Sequence, residues 1–205
     1  LLFGKRRLPT NRGAAGGASI VVPNWNGRDL LEKYLPTWIE AAARLPGSEV
    51  IVVDNASADG SAEYVRTNFP GVRLIALDRN LGFGGGCNTG VQAASNRIVV
   101  LLNSDMRVEP DFLLPLVEAF SDPTVFGGSC QIFFSDPQKR REESGLTQTW
   151  WQEGQLRVRH RIDPEVRETF PCSYPGGGSA AVDREKFLEI GGFDELYHPF
   201  YLEDT

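Results

Sequence analysis

The sequence has few of the residues that cross-link chains or hold zinc, and no long hydrophobic run. Its three cysteines, Cys87, Cys130 and Cys172, are odd in number and far apart, and it has only two histidines. This pattern is neither a disulfide framework nor a zinc spacing, and it suits a reducing compartment. No apolar run approaches the ~18 residues of a membrane span. We therefore expect a soluble chain that at most lies on a membrane surface.

Net positive charge is also lacking. The chain has 21 Lys and Arg against 27 Asp and Glu, a formal net charge of −6, which gives no global electrostatic case for nucleic-acid binding. The basic residues that are present concentrate between residues 139 and 161, where Arg157 and Arg159 alternate with apolar residues. Hydrophobic content of 41% and charged content of 23% are ordinary globular values. At 205 residues the chain is long enough for a sizeable core.

The two ends of the chain differ from its middle. Residues 1–18 are basic and then rich in Gly and Ala, which predicts a flexible lead-in, and residues 19–205 are expected to form one domain. The only methionine is Met106, and the last residues stop inside a motif described below. We therefore expect the domain to be truncated at its C-terminal end.

Short β-rich runs alternate with helical patterns in the first half. The runs cover residues 19–22, 50–53, 72–77 and 98–102. Between them, apolar residues recur at spacings of three and four, which places each set on one helical face. Alternation at this pitch predicts an α/β fold in which βαβ units form a mostly parallel sheet. Pro36 and Pro115 lie inside two of the helical patterns and predict kinks or breaks.

The pattern changes after residue 125. Residues 126–134 are typical of a strand interrupted by two glycines, Gly127 and Gly128. Residues 155–159 alternate strictly, so that one face of the segment is apolar and the other basic. This alternation predicts a hairpin or a small antiparallel edge. A short strand at 179–182, a short helix at 184–190 and a turn at 191–194 follow.

Polar side chains follow three of the predicted strands where each strand ends. In an open α/β sheet, ligands collect beyond these carboxyl ends. Asp105 there can place a carboxylate on a hard cation, and Asn103 can bind a neighbouring hydroxyl. Asp54 can accept the N3–H of uracil or thymine, which cytosine lacks. The alternative is an Asx turn at Asn103 and Asp105.

The end of the first strand, at Pro23, Asn24 and Asn26, offers amide groups at the same edge. A plain strand-to-helix turn explains these residues equally well. After the second strand, Ser57 or Asp59 is the expected N-cap of the next helix.

A glycine-rich segment follows the third strand and includes Asn80, Gly82, Gly84 and Asn88. Glycines before a helix permit close approach of a ligand to the backbone and aim amides at negative charge. The dinucleotide fingerprint fails because Cys87 stands where its third glycine belongs, and the P-loop lysine is absent. A nucleotide is expected here, bound neither as a dinucleotide nor as in a P-loop enzyme.

Together these segments resemble the inverting family 2 glycosyltransferases, which have the nucleotide-sugar-binding GT-A fold. The matching segments are SIVVPNWNG, EVIVVDNASADGS, DRNLGFGGGCNTG, LLNSDM, PGGGSAAVDREKFLEIGGFDE and YLEDT, in the order of the family. The local sequence of these segments is most similar to that of bacterial rhamnosyltransferases and related transferases of surface polysaccharides. The resemblance implies transfer of a sugar from a UDP- or dTDP-linked donor to a saccharide or lipid-linked acceptor, with inversion.

The resemblance also assigns roles to residues. The NSD segment resembles the metal-binding DXD motif, so Asp105 would hold Mn or Mg and Asn103 would contact the ribose or phosphate of the donor. Asp54 resembles the residue that reads the base. Glu203 and Asp204 resemble the acceptor-side acidic pair, with Asp204 as general base. The full donor-binding set is Pro23, Asn24, Asn26, Asp54, Asn80, Gly82, Gly84, Asn88 and Asn103, and the acceptor-binding set is Gly177 and Gly178.

The resemblance implies a cytoplasmic protein and is compatible with peripheral association at the inner face of the plasma membrane. Arg157 and Arg159 share one strand face, which is either solvated or meets anionic lipid headgroups or a diphosphate-linked lipid acceptor.

Two other functions stay open. One is a non-catalytic nucleotide-sugar-binding module. The other, less favoured, is a sugar-nucleotide pyrophosphorylase, which needs a basic glycine-rich loop after the first strand. A receiver-type signalling module needs an acidic pair near the first strand and a lysine late in the sheet, and neither is present.

Overall fold

The structure, a computed structural model, describes residues 16–136, 138, 146–161, 169–176 and 178–194. Its strands are β1 (Ala18–Asn24), β2 (Glu49–Asp54), β3 (Arg73–Ala76), β4 (Ile98–Leu102), β5 (Gly127–Ser129), β6 (Leu146–Gln152), β7 (Gln155–Arg161) and β8 (Ser179–Asp183). Its helices are α1 (Arg28–Arg44), α2 (Ser61–Asn68), α3 (Gly82–Ala93), α4 (Leu113–Ala119) and α5 (Arg184–Glu189).

Six strands form one mixed sheet in the order β3-β2-β1-β4-β8-β5. The first four are parallel to one another, as predicted, and β8 runs antiparallel to both β4 and β5. A mostly parallel mixed sheet with flanking helices is the architecture that the GT-A resemblance implies, so the predicted fold class is confirmed. Strand β1 begins at the fully buried Ala18. Residues 1–15 lie outside the described residues, so the predicted lead-in and the domain bounds stay predictions.

The core lies on both faces of this sheet because its central strands carry apolar side chains on both faces. All residues of β1 and β4 are buried. On one face the strands pack against α1 through Leu31, Leu35 and Trp38. On the other face they pack against α3 through Cys87 and Val91. The sheet edge that carries the strand ends is therefore held rigidly from both sides.

The expected helix breaks at proline do not occur. Helix α1 continues through Pro36, because the neighbouring Leu35 and Trp38 are fully buried and their packing outweighs the loss of one backbone hydrogen bond. Pro115 is the third residue of α4, where an amide has no partner inside the helix anyway. A kink at either proline stays a prediction.

The two glycines at the start of the second half form a strand instead of interrupting one. Gly127 and Gly128 belong to β5, which pairs with β8 from Gly127 to Ser129, and the amide of Cys130 still donates to the carbonyl of Ser179 in β8 at 3.0 Å. A Cβ on Gly127 would lie 2.9 Å from the carbonyl oxygen of Ala181 and from a carbon of Pro175. Only glycine therefore lets this strand approach β8 so closely.

The predicted antiparallel addition is a separate two-stranded hairpin of β6 and β7. Its two-residue turn is Glu153 and Gly154, both with positive φ (53° and 76°), the geometry that matches the twist of paired strands. Among the described residues, no helix combines the length and apolar character needed to cross a membrane.

Candidate functional site at the carboxyl edge of the sheet

The candidate site lies where β1, β2 and β4 end. Asn24 and Asp54 are register partners at the last paired position of β1 and β2. Strand β1 lies between β2 and β4, so the segments that follow β2 and β4 leave the sheet two strand positions apart. At ~4.8 Å per position, that is about 10 Å. The fold thus brings the predicted base-reading and metal-binding segments to one edge.

A buried polar network joins the ends of β1 and β2. The side-chain amide of Asn24 donates to Asp54 Oδ1 at 3.1 Å and to Ser57 Oγ at 3.3 Å. The other oxygen of Asp54 accepts the amide of Ser57 at 3.0 Å. Asp54 is only 2% exposed. A carboxylate offers about four lone-pair positions, so this one has acceptor capacity left.

One buried atom of this network is left over. Asn24 Oδ1 is shielded from solvent and has no hydrogen-bond partner among the described residues. A Cβ on Gly27 would lie 2.4 Å from it, so glycine at that position is what lets the Asn24 side chain fit. Buried polar atoms without a partner are uncommon, and a functional role is one of the reasons for which they occur.

The loop after β2 is tied to the loop after β1. Asn26 has a left-handed backbone (φ 50°), its amide donates to Ser57 Oγ at 2.8 Å, and its side-chain oxygen accepts the amide of Ala58 at 2.8 Å. The N-cap of α2 is Gly60 instead of the predicted Ser57 or Asp59. Ser57 is therefore free to connect the two strand ends.

Asp59 binds both helices that start at this edge. Its carboxylate accepts the amide of Arg28 at 2.8 Å and the amide of Ser61 at 3.0 Å. Burial acts to raise the pKa of Asp59, but the hydrogen bonds from Ser61 and Arg28 outweigh it, and the pKa is lowered. The charged carboxylate holds α1 and α2 together below the loops.

The NSD segment forms a turn closed by the backbone. The amide of Met106 donates to the carbonyl of Asn103 at 3.2 Å, and Trp38 Nε1 donates to the carbonyl of Met106 at 2.8 Å. Asp105 is exposed. Among the described residues, the structure gives the side chains of Asn103 and Asp105 no hydrogen bond. The turn does not need these side chains, in contrast to an Asx turn, and both are available to a ligand.

Gly178 lies beside this turn. Its carbonyl accepts the amide of Asn103 at 3.1 Å, and a Cβ on it would lie 3.5 Å from Asn103 Nδ2. The predicted acceptor-side residue and the NSD segment are thus neighbours. Gly177, Glu203 and Asp204 lie outside the described residues, so their predicted roles stay predictions.

The glycine-rich segment is organised differently from the prediction. Gly82 and Gly84 lie in α3 and not before it. Gly86 and Gly90 are packing residues: added Cβ atoms would lie 3.1 Å from Pro23 Cβ and 2.2 Å from Val21 Cγ1, respectively. The close approach is therefore that of a helix to the sheet, and close approach of a ligand at Gly82 or Gly84 stays a prediction.

Three asparagines hold α3 in place. Asn80 Oδ1 accepts the amide of Gly82 at 2.7 Å at the helix start. The side-chain amide of Asn88 is bound by the backbone of Phe193: its Nδ2 donates to the Phe193 carbonyl and its Oδ1 accepts the Phe193 N–H, each at 2.9 Å. A contact of Asn88 with the donor stays a prediction. Asn55, buried and unpredicted, donates to Gly82 O at 3.2 Å.

Sequence reasoning missed Asn55 and Ser57 as organising residues. Both belong to the polar run that follows β2, and that run is the only signal that could have identified them. Their roles depend on which loops lie opposite, which a linear pattern does not contain.

The donor set at this edge fits a divalent cation bound through one carboxylate. Mg²⁺ in particular is commonly held by one or two carboxylates with substrate phosphates and waters completing its shell. Exposed Asp105, without a hydrogen bond among the described residues, has this character. Within the described residues no group of three or more His, Cys, Asp or Glu could hold a metal alone.

The sequence model of one family, Glycosyl transferase family 2, matches residues 19–190. This chain belongs to that family. The match covers β1 to the end of α5 and so includes every strand end described above.

Curated relatives agree with this assignment. The chain is 42% identical over 103 residues to the succinoglycan biosynthesis protein ExoO of Rhizobium meliloti, covering 49% of this chain and 28% of that protein. It is 25% identical over 201 residues to an N-acetylglucosaminyl-diphospho-decaprenol L-rhamnosyltransferase of Mycobacterium tuberculosis, covering 85% and 64%. The chain thus spans less than two thirds of either relative.

Solved structures share the fold. A mannosyltransferase of Pyrobaculum calidifontis in complex with GDP-Man and Mn²⁺ has a TM-score of 0.65 at 23% identity, over 93% of this chain and 52% of that one. GalNAc-T7 with UDP, GalNAc and Mn²⁺ has a TM-score of 0.72 at 20% identity, over 94% and 40%.

Proposed function

We propose that this chain transfers a sugar from a UDP- or dTDP-linked donor to a saccharide or lipid-linked acceptor, with inversion, in the synthesis of bacterial surface polysaccharide. The observation that carries the proposal is the placement of Asp54 and Asp105 at one edge of a GT-A sheet, on either side of β1. Family membership and the activities in the names of the relatives support the same class of reaction.

Base recognition is assigned to Asp54. A carboxylate accepts a hydrogen bond from N3–H of uracil or thymine but repels the lone pair that cytosine presents there. Asn24 and Ser57 hold the carboxylate by hydrogen bonds to both of its oxygens. Because Asp54 is only 2% exposed, base binding requires its carboxylate to become more accessible than it is in this structure.

Asp105 is the residue that would hold the divalent cation, with Asn103 facing the ribose or phosphate of the donor. The cation supplies Lewis-acid stabilisation of the diphosphate when bound. To bind the cation, the Asp105 carboxylate must not be needed for the hydrogen bonds that close the NSD turn. The backbone closure of that turn supports this assignment.

Acceptor activation is assigned to Asp204, with Glu203 orienting it. The carboxylate takes the proton of the acceptor hydroxyl, a bond forms from that oxygen to the anomeric carbon, and the bond from that carbon to the diphosphate breaks on the opposite side. Gly177 and Gly178 would let the acceptor approach the backbone. The contact between Gly178 and Asn103 supports an acceptor position next to the donor.

The test is a thermal-shift panel of nucleoside diphosphates and their sugars, with and without Mn²⁺, followed by a turnover assay of the donors that bind. Stabilisation by UDP or dTDP sugars with release of the nucleoside diphosphate is expected. Binding without release in the presence of candidate acceptors would favour a non-catalytic nucleotide-sugar-binding module.

A further inference from the structure

The β6–β7 hairpin carries an exposed surface that the proposed site does not use. Its two faces follow from the register, in which Trp151 pairs with Leu156 and Trp150 pairs with Arg157. Partners in an antiparallel pair point to the same face. We define the hairpin surface as Trp150, Trp151, Leu156, Arg157, Val158 and Arg159.

One face of the hairpin surface is apolar. Trp151 is 74% exposed and Leu156 is 54% exposed, and Val158 follows on the same face. An indole with most of its area in water is costly, since burial of apolar surface is worth ~25 cal/mol per Å². Such a face is typical of a surface that binds something apolar.

The other face is aromatic and cationic. The guanidinium of Arg159 lies 5.4 Å from the ring centroid of Trp150 and donates two hydrogen bonds to Gln148 Oε1, at 2.9 and 2.7 Å. Arg157 lies beside them, paired across the strands with Trp150. The arginines are thus displayed next to exposed indole.

The hairpin is held firmly at its base. The amide of Tyr174 donates to Thr147 Oγ1 at 3.0 Å, and the amide of Thr149 donates to Ser173 Oγ at 3.0 Å. The apolar residues Trp151 and Leu156 are one position from the end of the ladder, farthest from this base. The hairpin therefore presents Trp151 and Leu156 near its outer end on one face, and Arg157 and Arg159 on the opposite face of the same two strands.

We propose that the hairpin surface docks this chain on an anionic lipid membrane. Tryptophan favours the boundary between headgroups and acyl chains, and arginine side chains reach the lipid phosphates from the same depth. Charge supports this occupant: residues 146–161 contain three arginines and one glutamate, whereas the whole chain has a net charge of −6. The docking is independent of donor binding.

The single acidic residue of the hairpin makes the proposal sharper. Glu153 lies in the turn, at the outer end, where it opposes an anionic surface. Docking therefore predicts opposite effects for two kinds of charge change. Loss of the arginines weakens vesicle binding, and loss of the Glu153 charge strengthens it.

The experiment is vesicle co-sedimentation without donor, using phosphatidylcholine alone and an equal mixture with phosphatidylglycerol. We expect binding to the mixture and little to phosphatidylcholine. Arg157→Gln with Arg159→Gln should weaken binding by roughly 5- to 30-fold, and Glu153→Gln should strengthen it several-fold. The matched charge control is Arg44→Gln with Arg66→Gln, which removes the same two positive charges from exposed arginines of α1 and α2. We expect this control to weaken binding much less than the hairpin change does. The part of any loss that comes from net charge alone is measured by the dependence of binding on salt concentration.

The apolar part is tested by Leu156→Ser against Ile190→Ser, two exposed aliphatic residues at 54% and 67%. Only the hairpin change should weaken binding. Binding that ignores anionic lipid, or that survives the double arginine change, would overturn the proposal. If the wild type bound no vesicles but formed a concentration-dependent dimer that Trp151→Ser abolished, the hairpin surface would be an interface between two copies of this chain, and the proposal would be overturned. A chain that binds UDP but no vesicles would leave the proposed function intact.

Discussion

The side-chain amide of Asn24 donates to Asp54 Oδ1 across the last register pair of β1 and β2, at 3.1 Å. Both residues are buried, at 1% and 2% exposure, so the contact is shielded from water. It orients a carboxylate at the strand end whose other oxygen is bound by the Ser57 amide. Two neighbouring strand ends thus act as one unit in the proposed base recognition.

That unit predicts base selectivity. UDP and dTDP should raise the melting temperature, and CDP should not, because only uracil and thymine present a hydrogen-bond donor at N3. Asp54→Asn should weaken the discrimination, since an amide can serve either as donor or as acceptor. Equal stabilisation of the wild type by all three nucleotides, measured by thermal shift, would remove Asp54 from this role.

Metal dependence is predicted to reside in Asp105. Donor binding should strengthen with Mn²⁺ or Mg²⁺, and Asp105→Ala should lose that dependence. The control is Asp111→Ala, whose exposed carboxylate lies 3.2 Å from Arg44 in an ion pair of little energetic value. Isothermal titration of the donor with and without metal distinguishes them. A metal effect that persists in Asp105→Ala would make the NSD segment a turn only.

The general base is predicted to act on the acceptor and not on donor binding. Asp204→Asn keeps the shape and removes the charge, so donor affinity should barely change while sugar transfer falls by about 10²- to 10⁴-fold. Glu203→Gln should do less. Transfer by Asp204→Asn at near wild-type rate would place the base elsewhere, and Asp194 would be the next residue to test.

Acid sensitivity is predicted at Asp183. One of its oxygens accepts two hydrogen bonds from the Arg97 guanidinium, at 2.9 and 2.7 Å, and the other caps α5 through the Glu185 amide. Burial acts to raise the pKa of Asp183, but the bonds from Arg97 and from the Lys186 amide lower it overall. Its contribution is therefore present above the unfolded-state pKa and is lost as the pH falls through the folded-state pKa.

Asp183→Asn should accordingly lower the free energy of unfolding by about 1–3 kcal/mol near neutral pH and by less in acid. Urea unfolding at both pH values measures this. An equal loss at the two pH values would show that the charge of Asp183 contributes nothing.

Close packing predicts the effect of adding one methyl group to α3. Gly90→Ala would normally favour a helix by about 1 kcal/mol. Here the new Cβ would lie 2.2 Å from Val21 Cγ1, so we expect a net loss of about 1–3 kcal/mol. Gly128→Ala is the control, because a Cβ there meets nothing within 4 Å. Thermal unfolding of the two variants gives the comparison, and a stabilised Gly90→Ala would contradict the packing.

Hydrophobic periodicity predicted the order of the strands and helices apart from β6, because it is a local property of each segment. The apolar pattern predicted the buried strands β1 and β4. It also predicted the helical face formed by Leu31, Leu35 and Trp38. Family membership followed from the same segments. The polar residues that end the strands were also readable, as was the rule that places them at one edge.

The hydrogen-bond partners of those residues follow from the folded arrangement and not from the sequence pattern. Asn24, Asp54 and Asn88 look alike as strand-end or helix-start polar residues, yet the first two bind each other and Asn88 binds the Phe193 backbone. In the sequence, Gly90 looks only like a residue that weakens a helix, whereas in the structure it lies against Val21 and leaves no space for a side chain. In each case the partner lies far along the chain, so register and packing settle the contact, and no local pattern contains them.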